Sequence, residues 1–292
     1  MRKIFINELV KAAKTNNKII LIVGDLGFSV VEPFADKYPQ QFINAGVSEQ
    51  NMMGLAAGLA SEGNHVFVYS IANFPTFRCA EQVKNDIDYH KLSVTIVSVG
   101  AGVGYGNLGY SHHAIQDYAL MRSLPNMLIA SPGDGMELKA CIKYLVNSPQ
   151  TSYLRLDKEA NDDLHKKIPK VFPGKWIKLH KTKTKNKTIL TTGTATYLAK
   201  KLIRKKKYKK CSINTLPLWG MKIKKKIKKK INSFSEIITI EDHFEDGGFG
   251  SWIKESINDT KIKTKIISKY INNKVIYTVG SKNYLLNKFG PK

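Results

Sequence analysis

The chain has 292 residues, 42% of them hydrophobic, which is ordinary for a folded protein of one large or two average domains. No apolar run reaches the roughly 18 residues of a membrane helix, and residues 1–17 lack the apolar block of a signal peptide. The three cysteines, Cys79, Cys141 and Cys211, have neither metal-site nor disulfide spacing, which predicts a reducing cytoplasm.

The formal net charge is +24, and the lysines are concentrated in two runs at 205–210 and 222–231. Such a charge is compatible with a nucleic acid or another acidic partner. No zinc knuckle or aromatic-interleaved motif accompanies the runs, and the abundance of Asn and Ile indicates codon drift in an AT-rich genome. We therefore interpret the lysines mainly as solvated helix faces, with an acidic partner surface as the open alternative.

The first half of the chain alternates between helix and strand patterns. The predicted helices span 3–15, 48–62, 76–90, 115–123 and 136–147, and the predicted strands span 18–25, 65–70, 93–100, 126–131 and 151–156. This alternation predicts a parallel sheet with helices on both faces, forming a domain at 1–157.

A charged segment at 158–186 contains two prolines and no periodicity, and we interpret it as a linker. Strand and helix patterns then resume at 187–193, 195–205, 211–216, 221–231, 236–242, 245–257 and 265–271. We therefore predict a second domain at 187–292, so that the fold class is α/β with two parallel-sheet domains.

Glu49 stands at the entrance of the apolar helix 48–62. Capping and the helix dipole are sufficient to explain an acidic residue at a helix start. A carboxyl group held against apolar walls could instead share a proton with a ring nitrogen of a bound heterocycle. Burial disfavours the charged form and the helix start favours it, and the sequence does not decide between the two.

Two further stretches contain candidate binding residues. Phe74 and Phe77 are three residues apart in NFPTF, a spacing typical of a core but also suited to stacking on a flat ring. Arg78 follows them and could contact an anionic ligand or a structural carboxylate. Five glycines at 100–109 precede His112, which is either a surface imidazole or a general acid–base group.

Three motifs, in this order along the chain, resemble the transketolase family. The segment INAGVSEQNMMGLAAGLASEG resembles the helix that carries its catalytic glutamate, and GNLGYSHHAIQDYALMRSLPNMLIASPGD resembles its glycine loop with a histidine. The segment TIEDHFEDGGFGSWI is similar to its C-terminal signature. The resemblance covers almost the whole chain and implies a thiamine-diphosphate pyrimidine-binding domain followed by a transketolase C-terminal domain.

The resemblance implies roles for individual residues. Glu49 would bond the aminopyrimidine nitrogen of thiamine diphosphate. Phe74 and Phe77 would pack on that ring, and Ile71 would extend the wall that they form. His112 would handle protons on the substrate. The other implied residues are Asp25 beside the cofactor, and Ser29, Lys158 and Arg155 beside the sugar or sugar phosphate.

The resemblance also implies that another chain supplies the diphosphate-binding half. Gly133-Asp134-Gly135 and Asn161 imitate the metal motif of that half, but the tripeptide lies in the family's P-x-D turn and Asn161 lies in the linker. We therefore expect no metal ligand in this chain. The expected partner is an N-terminal transketolase subunit that holds Mg²⁺ or Ca²⁺, in a heterotetramer that is inactive without it.

The substrate pocket departs from the family at three positions. Leu108 replaces an acidic residue that contacts the donor, Gly100 replaces a histidine that grips phosphate, and Lys158 lacks the fork of an arginine. We expect transfer of a two-carbon ketol unit from a ketose to an aldose, with both sugars left open. The alternatives are a deoxyxylulose-phosphate synthase-like or 2-oxoacid dehydrogenase β-type subunit, and a basic nucleic-acid-binding or scaffold protein without catalysis.

Overall fold

The computed structural model describes residues 1–159, 162–182, 186–258 and 262–292. Its helices are α1 (Arg2–Ala13), α2 (Glu32–Ala35), α3 (Glu49–Ser61), α4 (Ala80–Gln82), α5 (Asp117–Met121), α6 (Gly135–Asn147), α7 (Ala195–Leu202), α8 (Lys224–Ile231), α9 (Phe249–Glu255) and α10 (Lys282–Phe289). Its strands are β1 (Ile19–Val23), β2 (Phe42–Asn44), β3 (His65–Ile71), β4 (Val94–Val99), β5 (Leu128–Ala130), β6 (Ser152–Leu156), β7 (Ile177–His180), β8 (Lys187–Thr191), β9 (Ser212–Thr215), β10 (Leu218–Trp219), β11 (Glu236–Ile240) and β12 (Lys265–Lys269).

The strands form two sheets, which confirms the predicted α/β class. The first has seven strands in the order β10-β5-β6-β4-β3-β1-β2, and all of its pairs except β10–β5 are parallel. The second has five strands in the order β12-β11-β8-β9-β7, parallel except for β7–β9. Strands β1, β4 and β6 are buried along their whole length, because helices cover both faces of the sheet.

Five of these helices and strands were absent from the sequence-based predictions. Helix α2 and strand β2 lie between the predicted strand at 18–25 and the predicted helix at 48–62. Strand β7 lies within the predicted linker. It is a short edge strand of alternating burial, and the charged and polar residues around it gave no strand pattern in the sequence. Strand β10 has two residues and crosses from the second half to pair with β5. Helix α10 follows the last predicted strand. The domain boundaries at 157 and 187 stay predictions.

Aromatic side chains join the two halves. The ring centroid of Trp219 lies 5.0 Å from that of Tyr118, 5.2 Å from that of Phe249 and 5.1 Å from that of Trp252. All four side chains are fully buried. The two sheets therefore share an apolar core, which fixes the second half against the first.

None of the helices in the described ranges is long and apolar enough to cross a membrane. Cys79, Cys141 and Cys211 are free and buried. Burial raises the pKa of the Cys79 thiol to about 12, and the nearby Glu49 carboxylate adds to that rise. These cysteines therefore act as small core residues rather than as nucleophiles.

Candidate active site

The sequence-predicted site residues follow the carboxyl ends of five adjacent strands of the first sheet. In sheet order they are Lys158 after β6, His112 after β4, Phe74 and Phe77 after β3, Asp25 and Ser29 after β1, and Glu49 after β2. Ile71 is the last residue of β3. Ligands of parallel α/β sheets bind at this edge, because loops from neighbouring strands converge there.

Glu49 is the first residue of α3 and is only 2% exposed. Its Oε2 lies 2.6 Å from Nη1 of Arg78, which donates to it. The Ser48 hydroxyl does not cap the helix and instead donates to the carbonyl of Ala45. The buried acid is thus paired with a cation, which matches one of the two roles considered for Arg78.

Phe74 connects the acid to the glycine loop. The guanidinium carbon of Arg78 lies 4.5 Å from the Phe74 ring centroid, and the ring of His112 meets Phe74 edge-on at 5.3 Å. A cavity of about 390 Å³ opens beside them, and Phe77, half exposed, lines it. The two phenylalanines are therefore exposed to a cavity rather than enclosed in the core.

His112 lies in a loop that is held by hydrogen bonds from Asn73. The Asn73 side-chain amide donates to the carbonyls of Ser111 and His113 at 3.0 and 2.9 Å. The Ser111 hydroxyl lies 3.0 Å from Nδ1 of His112. Burial lowers the pKa of His112 below its usual value, so the imidazole is neutral near pH 7 and can accept or donate a proton.

Asp25 and Ser29 lie in the loop after β1, and both have left-handed backbones with φ of 52° and 59°. The Asp25 carboxylate accepts a hydrogen bond from Asn44 Nδ2, and the Asp25 N–H donates to Asn44 Oδ1. Strained non-glycine residues persist where the surroundings hold them, often at ligand sites. The loop therefore presents Asp25 in a fixed position beside β2.

Arg155 is a correction to the expected substrate residues. It lies within β6 with a fully buried side chain and donates to Asp117 at 2.6 Å and to Asp242 at 2.7 Å. Its remaining donors contact Tyr118 and the carbonyl of Ala114. The guanidinium thus neutralises two buried carboxylates across the two halves and is not placed to compensate for Lys158.

A tyrosine that the sequence analysis did not single out occupies the space above Gly100. Gly100 has φ of 99°, and a Cβ built on it would overlap the ring of Tyr105. Lys158 is half buried, with Nζ 5.2 Å from the centroid of that ring. Leu108 is exposed on the same loop. Tyr105 could be recognised only from the backbone conformation at Gly100, which the glycine-rich sequence does not specify.

The Gly133-Asp134-Gly135 tripeptide has a structural role. Asp134 is the N-cap of α6 and accepts from the N–H of Glu137 at 2.7 Å. Its other oxygen accepts from the backbone and ring nitrogens of His165. Asn161 lies outside the described residues. The Asp134 carboxylate is therefore used to fix a helix start and the segment after β6.

Comparisons with known proteins show the family to which the chain belongs. Residues 1–162 match the family described as the transketolase pyrimidine-binding domain. A subunit of the apulose-4-phosphate transketolase of Phocaeicola vulgatus is 32% identical over 91% of this chain and 86% of that protein. A 1-deoxy-D-xylulose-5-phosphate synthase of Clostridium perfringens is 31% identical over 93% of this chain but only 44% of its own length.

The same fold is found in a solved structure described as a split gene transketolase, inactive beta4 tetramer. It covers 100% of this chain and 93% of its own, with a TM-score of 0.85 and 28% identity. The fold and the family match define an α/β protein with a transketolase pyrimidine-binding domain, in which a buried acid begins a helix. The chain belongs to the transketolase family, and it is similar along almost its whole length to a separately encoded transketolase subunit.

Proposed function

We propose that this chain is the C-terminal subunit of a split transketolase, which transfers a two-carbon ketol unit from a ketose to an aldose with thiamine diphosphate. The observation that carries the proposal is the buried Glu49 at the start of α3, joined through Arg78 and Phe74 to His112 at one edge of the sheet. The match to the pyrimidine-binding family and the likeness to a separately encoded transketolase subunit support it.

The residues present fit a flat, nitrogen-containing ring. Glu49 offers a buried carboxylate at the head of an apolar helix, and Phe74 and Phe77 line a cavity of about 390 Å³ with aromatic surface. Ile71, half buried at the end of β3, and Asp25 stand on the two neighbouring strand ends. These residues would hold the pyrimidine half of the cofactor.

When bound, thiamine diphosphate supplies an electron sink for breaking the carbon–carbon bond beside a carbonyl. Glu49 would hold a proton between its carboxylate and a ring nitrogen. The phenylalanines would orient the ring and exclude water. His112, neutral near pH 7, would move a proton at the substrate hydroxyl or carbonyl oxygen, while Ser29 and Lys158 would contact the sugar.

The proposed partner is an N-terminal subunit that holds the diphosphate through Mg²⁺ or Ca²⁺. Two chains of each kind would form a cytoplasmic heterotetramer, with each site between a pyrimidine domain and a diphosphate domain. The subunit naming of the relative and the split-gene structure support the division into two chains. The lysine-rich helix α8, whose lysines face outward, is a proposed surface for an acidic partner.

A deoxyxylulose-phosphate synthase-like reaction is the second candidate, because such a synthase is 31% identical, close to the 32% of the transketolase subunit. Glu241-Asp242-His243 belongs to the segment that is similar to the transketolase C-terminal signature, a resemblance that favours transketolase. In the structure Glu241 caps α9, Asp242 binds Arg155 and His243 stacks on Tyr118 at 5.3 Å. The motif stabilises the join between the halves, and the choice of donor separates the two reactions.

An assay of the two subunits together tests the proposal. The chain is co-expressed with the partner from a neighbouring reading frame and supplied with cofactor and Mg²⁺. Transfer from a ketose phosphate supports the proposal, whereas condensation from pyruvate supports the synthase. We expect Glu49→Gln to lower turnover by about 10²–10⁴, the usual range for losing an acid–base group. Glu62→Gln, an exposed change at the end of the same helix, is the control.

A further inference from the structure

The turn that follows β3 carries Asn73 directly before Phe74, and both side chains line the cavity of about 390 Å³. The backbone of this turn is fixed at two points. The N–H of Ala72 donates to the carbonyl of Val99 in β4 at 2.8 Å, and the N–H of Phe77 donates to the carbonyl of Asn73 at 3.2 Å. The Asn73 side chain therefore extends from a rigid base.

The Asn73 amide binds the carbonyl that precedes His112 and the one that follows it. Its Nδ2 donates to the carbonyl of Ser111 at 3.0 Å and to that of His113 at 2.9 Å. These acceptors are 38 and 40 residues away in the sequence, so the amide joins the turn after β3 to the loop after β4. One side chain thus holds the backbone of His112 from both sides.

This pair of hydrogen bonds also fixes the surroundings of the imidazole. The hydroxyl of Ser111, whose carbonyl Asn73 binds, lies 3.0 Å from Nδ1 of His112. The His112 ring meets that of Phe74, the residue after Asn73, edge-on at a centroid distance of 5.3 Å. The histidine and the aromatic wall are therefore positioned by adjacent residues of one turn. A displacement of about 1 Å at a reacting group can lower a rate about 10²-fold.

The amide uses its donors and leaves its acceptor unused. Oδ1 of Asn73 is buried and accepts no hydrogen bond from any described residue. A buried acceptor without a donor lowers the stability that the side chain contributes. Asparagine is therefore not the residue that stability alone favours here, whereas its two N–H groups match the two carbonyls of the histidine loop.

We propose that Asn73 is a positioning residue for His112, which it holds in the orientation needed for proton transfer beside Phe74. The proposal rests on the proposed function, because it concerns the reaction in which His112 would move a proton. Asn73 acts through the loop and not on the reacting atoms. A catalytic side chain on a loop depends on such supporting hydrogen bonds, because loops hold a group less precisely than helices or strands do.

The assembled two-subunit enzyme tests this with two variants. Asn73→Ala removes both donors, and Asn73→Asp removes the pair of N–H groups while keeping the shape of the side chain. We expect both to lower kcat about 10–100-fold with little change in the KM of the ketose donor. Asn64→Ala is the matched control and should change neither value. Its Nδ2 also donates to a backbone carbonyl, that of Leu59 at 2.8 Å, but at the opposite end of β3.

The pH profile separates positioning from a general loss of stability. Burial lowers the pKa of His112, so a loosened loop that exposes the imidazole should move the acid limb of kcat/KM to higher pH. Asn73→Ala is the variant for this test, because the carboxylate of Asn73→Asp would itself raise the pKa of His112. Thermal unfolding of both variants should resemble that of Asn64→Ala, which shows that the fold is intact.

Imidazole NMR of the assembled protein, with this chain labelled at histidine and His112→Asn assigning the resonance, measures the pKa of His112 without turnover. A raised pKa in Asn73→Ala but not in Asn64→Ala supports the positioning role even where ketol transfer is absent and the proposed function has failed. An unchanged pKa with unchanged kcat overturns that role while normal transfer upholds the function. Weaker cofactor binding with wild-type kcat at saturating cofactor also overturns it, because Asn73 would then be a ligand contact in the cavity.

Discussion

The guanidinium of Arg78 lies 2.6 Å from the carboxylate of Glu49, so the acid at the head of α3 is paired in this structure. The Glu49 side chain is 2% exposed, whereas that of Arg78 is 46% exposed. Arg78 therefore connects a buried acid to the open cavity lined by Phe74 and Phe77. A ligand ring that bonds Glu49 must share the carboxylate with this guanidinium.

Arg78→Ala should weaken the binding of thiamine diphosphate to the assembled enzyme by about tenfold. Loss of one hydrogen bond to a charged group costs about 1.5–3 kcal/mol. Because Arg78 is partly exposed, solvent screening weakens this interaction, so we expect a loss of binding free energy at the lower end of that range. The physical reason is that Glu49 loses the contact that fixes its rotamer. Calorimetric titration with the cofactor measures the effect, and Arg78→Lys should restore part of it. Tighter binding in Arg78→Ala would show that the guanidinium competes with the ring.

The acid limb of the pH profile reports on His112. Burial lowers the pKa of this imidazole below 6.5, so the neutral form persists to lower pH than for a free histidine. We expect kcat/KM for the ketose donor to be constant above that pKa and to fall as the pH decreases through it. His112→Asn should remove this limb and lower the rate by about 10²–10⁴. The exposed His180→Asn is the control and should keep the acid limb. If the limb is also unchanged in His112→Asn, the titrating group is not His112.

Part of the candidate site and most of the strands of the first sheet could be predicted from the sequence. Glu49 was expected at the start of a helix and His112 in the loop after the strand that is now β4, and the apolar strands β1, β4 and β6 were visible as buried runs. Strand β2, which precedes Glu49, was not predicted. The convergence of the two side chains follows from strand order, which the alternation of helices and strands strongly restricts. A cluster of these side chains at one edge of a parallel sheet was therefore predictable.

Arg155 shows where this reasoning fails. Its two carboxylate partners, Asp117 and Asp242, lie 38 and 87 residues away in the sequence. A charge within an otherwise apolar strand gives no sign of which distant acids will meet it. Arg155, three residues before Lys158, was therefore interpreted as a substrate contact, although in a strand alternate side chains point to opposite faces. Tyr105 was missed for a related reason, since its position depends on the left-handed backbone at Gly100.

Replacement of Arg155 should destabilise the chain more than it affects catalysis directly. Arg155→Ala leaves Asp117 and Asp242 buried without a cation, and breaking one buried pair in this way costs about 3–5 kcal/mol. Urea unfolding should show this loss, while Lys187→Ala, which breaks an exposed pair with Glu236, should cost about 0–1 kcal/mol. A fully stable Arg155→Ala variant with impaired sugar binding would instead return Arg155 to the substrate site.

His165 gives the chain a pH-dependent contribution to stability. Its Nδ1 lies 2.8 Å from Asp134 and its Nε2 lies 3.5 Å from Glu137, with Asp163 as a further nearby acid. Burial by itself lowers the pKa of His165. The hydrogen bond to Asp134 and the nearby carboxylates outweigh burial, so the pKa of His165 in the folded state lies above 6.5. The segment after β6 is thus held to α6 by an imidazolium.

Because the folded pKa exceeds the unfolded value, this contribution is complete below about pH 6.5 and is lost as the pH rises through the folded pKa. The free energy of unfolding should therefore fall across that window with a slope of at most about 1.4 kcal/mol per pH unit. Urea unfolding between pH 5.5 and 9 measures the slope. His165→Gln should be less stable than wild type at pH 6 and should flatten the profile, whereas the exposed His90→Gln should preserve it. A slope that survives in His165→Gln would place the titrating proton on a different residue, because glutamine keeps a hydrogen-bond donor for Asp134 but cannot be protonated in this range.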